Sequence, residues 1–346
     1  GHNGLVCAAY LAAKGQRVLV LEAASAPGGL AETREFHPGF RASVAHTISQ
    51  FSPKVAADLK LARYGYALPE QWLDTVALGD GGDHVVVGRY GVEGVADADA
   101  NSFLRWREKM ALFAESLQPS WLKTMPRIGD TSVRSGLTFG EIGLRLRKLG
   151  RDDMLEFLRV ATLPMRDLMD ENFENKRLQA ALAWEGLIGS RMAPRSPNNA
   201  VFAMLYRMLG ETRGRHTLPA GGVQSLVTAL QAAARDAGAE LRLGAPVRRV
   251  VLAADNRGQR VEGVELDSGE IIGADRVVSS ADPQRTFLGL VGARHLEIEF
   301  ANRIRRLRCE GYVAKLHLAL AGLPAFTGIE TPANRMLIAD DPDALE

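Results

Sequence analysis

The amino-acid sequence predicts an α/β fold that is interrupted by a largely helical insertion. The first observation behind this prediction is a glycine-flanked turn, an apolar helix and a short apolar strand within residues 1–22. The second is the return of a helix followed by short strands after residue 215. The third is the stretch 97–210, whose apolar residues recur almost throughout at helical spacing.

The chain opens with the turn Gly1-His2-Asn3-Gly4, and the small and apolar residues after it predict a helix that stops at Gly15. Residues 18–21 are all apolar, which is typical of a buried parallel strand, and an acid, Glu22, follows them. These elements make up most of a nucleotide-binding βαβ unit, without its first strand and the first glycine of GxGxxG. We therefore expect the chain to be a fragment of a longer protein.

Proline and glycine separate the remaining predicted elements. A helix is expected from Pro53 to about Arg63, and a hairpin over 75–90, where Asp80-Gly81-Gly82-Asp83 separates two valine-rich runs. The helical stretch divides into 99–117, 138–149, 151–161, 176–188 and 198–209. After Gly221-Gly222 the pattern predicts a helix over 223–236 and strands over 240–243, 247–253, 261–266 and 276–279.

These elements predict two domains, each built from discontinuous segments. Residues 1–75 and 215–290 form the nucleotide-binding domain, and residues 76–214 and 291–346 form a largely helical second domain, to which we assign the substrate. The length of 346 residues agrees with two domains of about 150 residues each.

Composition excludes several classes of protein. The 42 Lys and Arg against 41 Asp and Glu leave a net charge of +1, whereas nucleic-acid binders usually carry a strong basic excess. No apolar run reaches the roughly 18 residues of a membrane span. The two cysteines, Cys7 and Cys309, form no CxxC pair, and the histidines lack the spacing of a metal site. A reducing, intracellular compartment is the default expectation.

The first candidate site is the opening turn together with Glu22. Gly1 and Gly4 would let backbone N–H groups approach a pyrophosphate at a helix N-terminus, beside Asn3. Glu22 follows the strand, where an acid accepts hydrogen bonds from ribose hydroxyls and disfavours a 2′-phosphate, hence NADP. The alternative interpretation is an ordinary helix-start glycine with a surface glutamate.

A second glycine pair distinguishes FAD from NAD. Gly28-Gly29 comes shortly after the ribose acid and is not part of the plain NAD pattern, but it would let the backbone cross close to the pyrophosphate and ribityl chain of a flavin. Thr33 can offer its hydroxyl to a phosphate. The alternative is a surface turn, since Pro27-Gly28 is a common turn signal. Combined with the first motif, the pair predicts FAD.

With these residues in view, the sequence resembles the FAD-dependent oxidoreductases related to phytoene desaturase, carotenoid isomerase and retinol saturase. Within them it resembles the subfamily of pyridine nucleotide-disulfide oxidoreductase domain-containing protein 2 and its bacterial relatives. The resemblance covers nearly the whole chain and is carried by residues 1–6, 28–33, 38–40, 178–182 and 221–226. The flanks of the glycine pair lack the arginine found in many amine oxidases, which argues against a close amine-oxidase assignment.

The resemblance implies a Rossmann-like FAD-binding domain of the GR2 type with an inserted substrate domain, and a further C-terminal FAD segment that this chain lacks. It implies that the backbone of Val247 reads the adenine edge and that Ala281 lies nearby. The complete set of expected FAD contacts is Gly1, Asn3, Gly4, Glu22, Gly28, Gly29, Thr33, Val247 and Ala281. The compartment would be the cytoplasm in a bacterium and the mitochondrion in a eukaryote.

The leading functional hypothesis is an enzyme that transfers hydride or electrons between FAD and an apolar, polyene or lipid-like substrate. The alternative is a flavin-binding protein without turnover that acts through protein partners. No catalytic set is evident, and His46 is a lone histidine in the segment expected near the flavin. The helix 138–149 and the basic stretch 303–308 suit contact with a membrane surface, or equally a solvated face. Aromatic residues of the helical block are pocket candidates, with core packing as the alternative: Phe103, Trp106, Phe113, Trp121, Phe157 and Trp184.

Overall fold

The structure is a computed structural model that describes residues 1–45, 51–68, 72–125, 129–197, 199–217, 219–255, 258–308, 313–330 and 334–346. Its helices are α1 (His2–Ala13), α2 (Pro53–Asp58), α3 (Asp97–Trp121), α4 (Val133–Lys148), α5 (Arg151–Val160), α6 (Met165–Asn172), α7 (Lys176–Leu187), α8 (Ala200–Met208), α9 (Val223–Asp236) and α10 (Ile298–Arg305). Its strands are β1 (Leu19–Leu21), β2 (Thr33–His37), β3 (Phe40–Ser43), β4 (Trp72–Leu73), β5 (Thr75–Ala77), β6 (Val85–Val87), β7 (Val92–Glu93), β8 (His216–Thr217), β9 (Glu240–Arg242), β10 (Val247–Asp255), β11 (Gly258–Leu266), β12 (Ile271–Gly273) and β13 (Arg335–Leu337). None of the described helices is long and apolar enough to cross a membrane.

The chain divides into two compact units, each discontinuous in sequence. The first unit comprises Gly1–His46, Lys54–Leu68 and Pro219–Gly311, and the second comprises Thr47–Pro53, Pro69–Leu218 and Tyr312–Glu346. These boundaries differ from the predicted ones at four places: 47–53, 69–75, 215–218 and 291–311. In the first of these, the Phe51 carbonyl accepts from the Glu211 N–H of the second unit at 2.9 Å.

Pairing within each unit explains the differences in the boundaries. Residues 72–73 and 216–217 pair as β4 and β8 within the second unit, so 69–75 and 215–218 belong there. Segment 291–311 belongs to the first unit, where the Gln284 amide donates to the carbonyls of Ile304, Arg305 and Leu307.

The first unit is built on the contact between α1 and α9. Alanines line this contact, so the two helices pack without large side chains between them: Ala8, Ala9 and Ala12 with Ala234 and Ala239. β1 then pairs with β9 in parallel, with Leu19 opposite Glu240. The predicted helix stop is confirmed, since Gly15 follows α1 with a φ of +79°. The predicted strand after it is β1, and the helix over 223–236 matches α9.

Three predictions in the first unit need correction. The helix from Pro53 ends at Asp58, because Lys60 takes a left-handed φ of 50° and a 3-10 turn replaces the last residues. Residues 276–279 form no strand, since they are exposed and no described strand pairs with them. The hairpin of β2 and β3 was not predicted, because its mixed polar residues lack the alternation of a half-buried strand.

The second unit combines a sheet of order β13-β5-β6-β7 with the helices α3 to α8. The predicted hairpin is confirmed by the antiparallel pairing of β5 with β6. The helix predicted from 198 begins only at Ala200, since Asn199 has a φ of 75°. α6 was not predicted; it follows Pro164 and buries Met165, Leu168 and Met169.

The aromatic pocket candidates belong mainly to the hydrophobic core of the second unit. Phe103, Trp106, Phe113 and Phe157 are buried in one cluster, and Phe113 and Phe157 meet edge to face at 5.5 Å between ring centroids. Trp121 is exposed and lies 4.7 Å from the Tyr206 ring. For the four buried residues, therefore, the core-packing alternative is correct.

Glu185 on α7 binds two strands of the second unit together. Its carboxylate accepts hydrogen bonds from Arg335 Nη1 of β13 at 2.7 Å and from His216 Nε2 of β8 at 3.0 Å. Arg335 Nη1 also donates to Thr75 Oγ1 of β5 at 2.9 Å. Burial alone would raise the pKa of Glu185, but the His216 hydrogen bond and the Arg335 charge outweigh it and lower the pKa from 4.5 to about 2.

We predict that E185Q destabilises the chain by about 3 kcal/mol at pH 7, the free-energy equivalent of this pKa shift. A lowered folded-state pKa stabilises the protein above the unfolded-state pKa of 4.5, and the contribution disappears as the pH falls towards 2. Urea unfolding should therefore show a difference between wild type and E185Q that shrinks below pH 4.5. The matched control is E171Q, which breaks an exposed pair with Arg159 and should cost less than about 1 kcal/mol. Equal effects of the two variants would contradict the prediction.

Candidate functional site

Two glycine loops touch through their backbones at the start of α1. A Cβ on Gly29 would lie 3.3 Å from the Cα of Gly1, and a Cβ on Gly1 would lie 3.8 Å from the Cα of Gly29. Gly28 and Gly29 have φ values of 139° and 61°, and a Cβ on Gly28 would lie 3.0 Å from the Glu32 backbone. Side chains are therefore excluded sterically and conformationally from the meeting point of the two predicted motifs.

The first turn of α1 has donors without side-chain acceptors. Gly1 is the N-cap residue and makes no side-chain capping bond, and the first turn contains no acid. In addition, the Nδ1 atom of His2 is buried and has no hydrogen-bond partner among the described residues. A helix start of this kind suits an anionic group, because its free N–H groups and the helix dipole both favour negative charge.

The pairing of β1 with β9 positions Glu22 beside this helix start. The Glu22 N–H donates to the carbonyl of Arg242 at 3.0 Å, which continues the ladder. The Glu22 carboxylate accepts from Ala24 N–H and from the Gly1 nitrogen, each at 3.2 Å. A carboxylate offers about four lone pairs, so acceptor capacity remains for the two hydroxyls of a ribose.

Val247 lies close to Glu22 through the segment that precedes it. Ala245 N–H donates to the carbonyl of Glu22 at 2.9 Å, and Gly244 N–H donates to that of Ala24 at 3.0 Å. Val247, two residues further on, begins β10 and is half-buried. The backbone expected to read an adenine therefore runs beside the expected ribose acid.

Thr33 is hydrogen-bonded to the start of α9, which follows the glycine pair Gly221-Gly222. The bonding partner is Gln224, to which the sequence analysis assigned no role. Its backbone N–H donates to Gln224 Oε1 at 2.9 Å. Gln224 lies in the first turn of α9, directly after Gly221 and Gly222, whose φ values are 77° and 75°. In the sequence, the glycine pair indicated the start of a helix. It did not indicate that the Gln224 side chain would accept a hydrogen bond from Thr33.

Ala281 belongs to a loop that approaches α1 at Gly4. A Cβ on Gly4 would lie 3.0 Å from the Oγ of Ser280, the residue before Ala281. Ala281 N–H donates to Ser279 Oγ at 3.3 Å, and Asp282 accepts from Arg285 N–H at 2.8 Å where the π-helix 284–292 begins. Ser280 is thus a further residue of the site that the sequence did not indicate.

The structure brings Gly1, Glu22 and the pair Gly28-Gly29 together at the start of α1, which contains Asn3 and Gly4. For Thr33, Val247 and Ala281 it shows contacts of the flanking segments, and their roles stay predictions. The touching glycines, the uncapped helix start, the orphaned His2 Nδ1 and the Glu22 carboxylate fit the pyrophosphate and ribose of a dinucleotide. No cluster of potential metal ligands occurs in the described part of the chain. His46, the lone histidine considered above, lies outside the described residues.

Comparison with known proteins identifies the family. Residues 4–285 match the model of the flavin containing amine oxidoreductases. Pyridine nucleotide-disulfide oxidoreductase domain-containing protein 2 of Mus musculus is 29% identical over 351 residues, which cover 94% of this chain and 59% of the mouse protein. The zeta-carotene-forming phytoene desaturase of Myxococcus xanthus is 29% identical over 134 residues, or 38% of this chain and 24% of the desaturase.

A solved structure has the same fold. An oxidoreductase from Methanosarcina mazei superposes with a TM-score of 0.52 at 17% identity, covering 88% of this chain and 62% of that protein. The chain thus spans about three fifths of the length of the mouse and Methanosarcina proteins. The predicted α/β flavoprotein fold and the predicted cofactor, FAD, are confirmed. The argument against a close amine-oxidase assignment, drawn from the missing arginine, concerns a division within this family and stays a prediction.

We predict that G29A weakens FAD binding by about tenfold or more, because the new Cβ must push the Gly1 backbone away from its position. The matched control is G39A, in which φ is also positive, at +80°, but no atom lies within 4 Å of the added Cβ. Both variants carry the same conformational cost of about 1–2 kcal/mol. Flavin fluorescence titration measures the two affinities, and an equal loss in both variants would remove the steric argument.

We predict that E22A weakens FAD binding by about tenfold to a hundredfold, the range expected for a lost charge-assisted hydrogen bond. E22Q, which keeps one acceptor oxygen, should fall between wild type and E22A. E240A is the control, because Glu240 is an exposed acid on the paired strand β9. An unchanged dissociation constant for E22A would count against the ribose assignment.

Proposed function

The chain belongs to the flavin containing amine oxidoreductase family, and we propose that it is part of an FAD-dependent enzyme acting on an apolar substrate. The enzyme would transfer a hydride or electrons between the flavin and a polyene or lipid-like molecule. The observation that carries the proposal is the contact of the two glycine loops beside Glu22 at the start of α1.

The residues of the first unit would divide the binding of FAD between them. The backbone of Gly1, Gly28 and Gly29 would let the pyrophosphate approach, and the free N–H groups of α1 would receive its charge. Glu22 would accept hydrogen bonds from the ribose, and the backbone at Val247 would meet the adenine. Bound flavin supplies the redox chemistry, so the protein has to orient the substrate and exclude water.

Partial similarity to a carotenoid enzyme supports an apolar substrate. The Myxococcus xanthus relative is named for forming zeta-carotene, and its similarity extends over 38% of this chain. Hydride transfer at a carbon–carbon bond requires the flavin to be held against that bond, and in a carotene the bond belongs to an apolar hydrocarbon. We therefore favour a substrate of this chemical class over an amine.

Contact with a membrane surface would give such an enzyme access to its substrate. α4 exposes an apolar stripe in which Val133 is 79%, Leu137 71% and Leu144 55% accessible. Basic residues stand beside the stripe and would face anionic headgroups: Arg134, Arg145, Arg147 and Lys148. The opposite side of α4 is anchored, since Leu146 packs against the core.

The first test asks whether the protein binds and uses flavin. Denaturing the purified protein should release FAD, identified by chromatography. Under anaerobic conditions, phytoene in detergent should bleach the flavin absorption near 450 nm, with dithionite as the positive control. Folded protein that yields no flavin would contradict the proposal. Flavin that dithionite bleaches and phytoene leaves unchanged would favour the flavin-binding protein without turnover.

The second test concerns the membrane surface. We predict that L137E reduces sedimentation with vesicles of phosphatidylcholine and phosphatidylglycerol by at least fivefold, because a carboxylate on the apolar stripe is repelled by anionic lipid. I271E is the control, since Ile271 is 63% exposed on β12 of the first unit. If both variants bind vesicles as the wild type does, α4 is not a membrane contact.

A further inference from the structure

Two arginines of the second unit stack on one tryptophan, and two more lie close enough to act on one of them. The guanidinium carbons of Arg89 and Arg215 lie 4.9 and 4.7 Å from the centroid of the Trp72 ring. Arg89, Arg107 and Arg213 all act electrostatically on Arg215. We call Arg89, Arg107, Arg213 and Arg215 the arginine cluster.

The arginine cluster differs from other arginines of this unit because it has no carboxylate partner. Arg159, Arg177 and Arg195 each form ion pairs with two carboxylates. Within the part of the chain that the structure describes, no member of the cluster has a carboxylate oxygen within the 4.0 Å of an ion pair. The chain carries 41 acids and a net charge of only +1, yet among the described residues these four arginines have no acid as an ion-pair partner.

Burial makes this arrangement costly in the absence of an anion. Arg107 and Arg215 are half-buried, and burial lowers the pKa of both guanidinium groups. The charges of Arg89, Arg107 and Arg213 lower the pKa of Arg215 further, and only Tyr90 opposes them among the groups acting on it. Like charges in a partly desolvated place destabilise one another, and a bound anion would remove that repulsion.

The guanidinium groups are also held in position. Arg107 donates to the carbonyls of Arg89 and Tyr90 at 2.9 and 3.3 Å, and Arg215 Nε donates to the Thr212 carbonyl at 3.3 Å. Each guanidinium has five N–H donors, so most donors of the cluster remain available. Oriented, stacked arginines with free N–H groups are suited to bidentate binding of a carboxylate or phosphate.

We propose that the arginine cluster binds an oxoanion group, a carboxylate or a phosphate, carried by the substrate. The cluster lies in the unit to which the sequence assigns the substrate. The anionic end of the ligand is inferred from the arginine cluster itself. The apolar body of the ligand is inferred from the proposed function. The substrate class becomes an amphiphile: an apolar body with one anionic end.

The experiment is isothermal titration calorimetry of the full chain with decanoate, decyl phosphate and decanol, at low salt. We expect decanoate or decyl phosphate to bind and decanol to bind at least tenfold more weakly. R89Q and R215Q should each weaken binding of the anion by about tenfold to a hundredfold and leave decanol unaffected. The better of the two anions distinguishes carboxylate from phosphate.

Controls separate a specific site from overall charge. R260Q removes the same charge from an exposed arginine of the first unit and should leave the affinity unchanged. R215K keeps the positive charge but loses the bidentate donor pair of the guanidinium. It should therefore bind the anion more tightly than R215Q and less tightly than wild type. Such an intermediate affinity would also show that position 215 tolerates substitution. Urea unfolding of R89Q and R215Q verifies that both variants are folded.

Several outcomes would overturn the proposal. They are equal affinity for decanoate, decyl phosphate and decanol, equal loss in R260Q, or inorganic phosphate binding as tightly as decyl phosphate. Glu70 and Asp74 are the acids nearest to Trp72 in sequence, and Glu70 lies outside the described residues. Anion binding that occurs only in E70Q would make Glu70 the partner of the cluster. Flavin content is measured on the same sample, so loss of FAD with retained anion binding would contradict the proposed function and not the anion site.

Discussion

The close approach of Gly1 and Gly29 is the constraint on which the candidate site depends. A Cβ on Gly29 would lie only 3.3 Å from the Cα of Gly1, so the approach requires a residue without a Cβ at position 29. The absence of a side chain there also lets a phosphate reach the free N–H groups. The approach in turn requires α1 to lie in a fixed place, which the alanine contact with α9 provides. The pairing of β1 with β9 then sets Glu22 beside the same helix start.

The sequence predicted those elements whose ends carry a backbone signal. α9 begins after a glycine pair and ends before Gly238, and both predicted ends match the structure. Segments without such a signal were missed or misjudged: α6 is short and follows Pro164, and β2 carries mixed polar residues. Residues 276–279 have a strand composition but no described neighbour, and a strand needs a partner for its ladder as well as propensity.

In the candidate site, too, the sequence predicted the residues that act through the backbone better than those that act through side chains. The cofactor requires glycines at the start of a helix and an acid after the next strand, at a fixed spacing along the chain. This spacing can be recognised in the sequence alone. Gln224 and Ser280 reach the site only because α9 and a distant loop fold against α1, and no local pattern records that. The arginine cluster is a stronger example, since its members come from three separate segments of the chain and meet at Arg215.

The second unit uses buried charge in two opposite ways on adjacent residues. His216 belongs to the Glu185 group, in which the negative carboxylate receives bonds from both His216 and Arg335. Arg215, its neighbour in the chain, belongs to the arginine cluster, whose members have no carboxylate partner among the described residues. A neutralised group contributes to folding, whereas an unneutralised one costs folding free energy unless a ligand supplies the missing charge. The contrast therefore assigns stability to the Glu185 side of β8 and recognition to the Arg215 side.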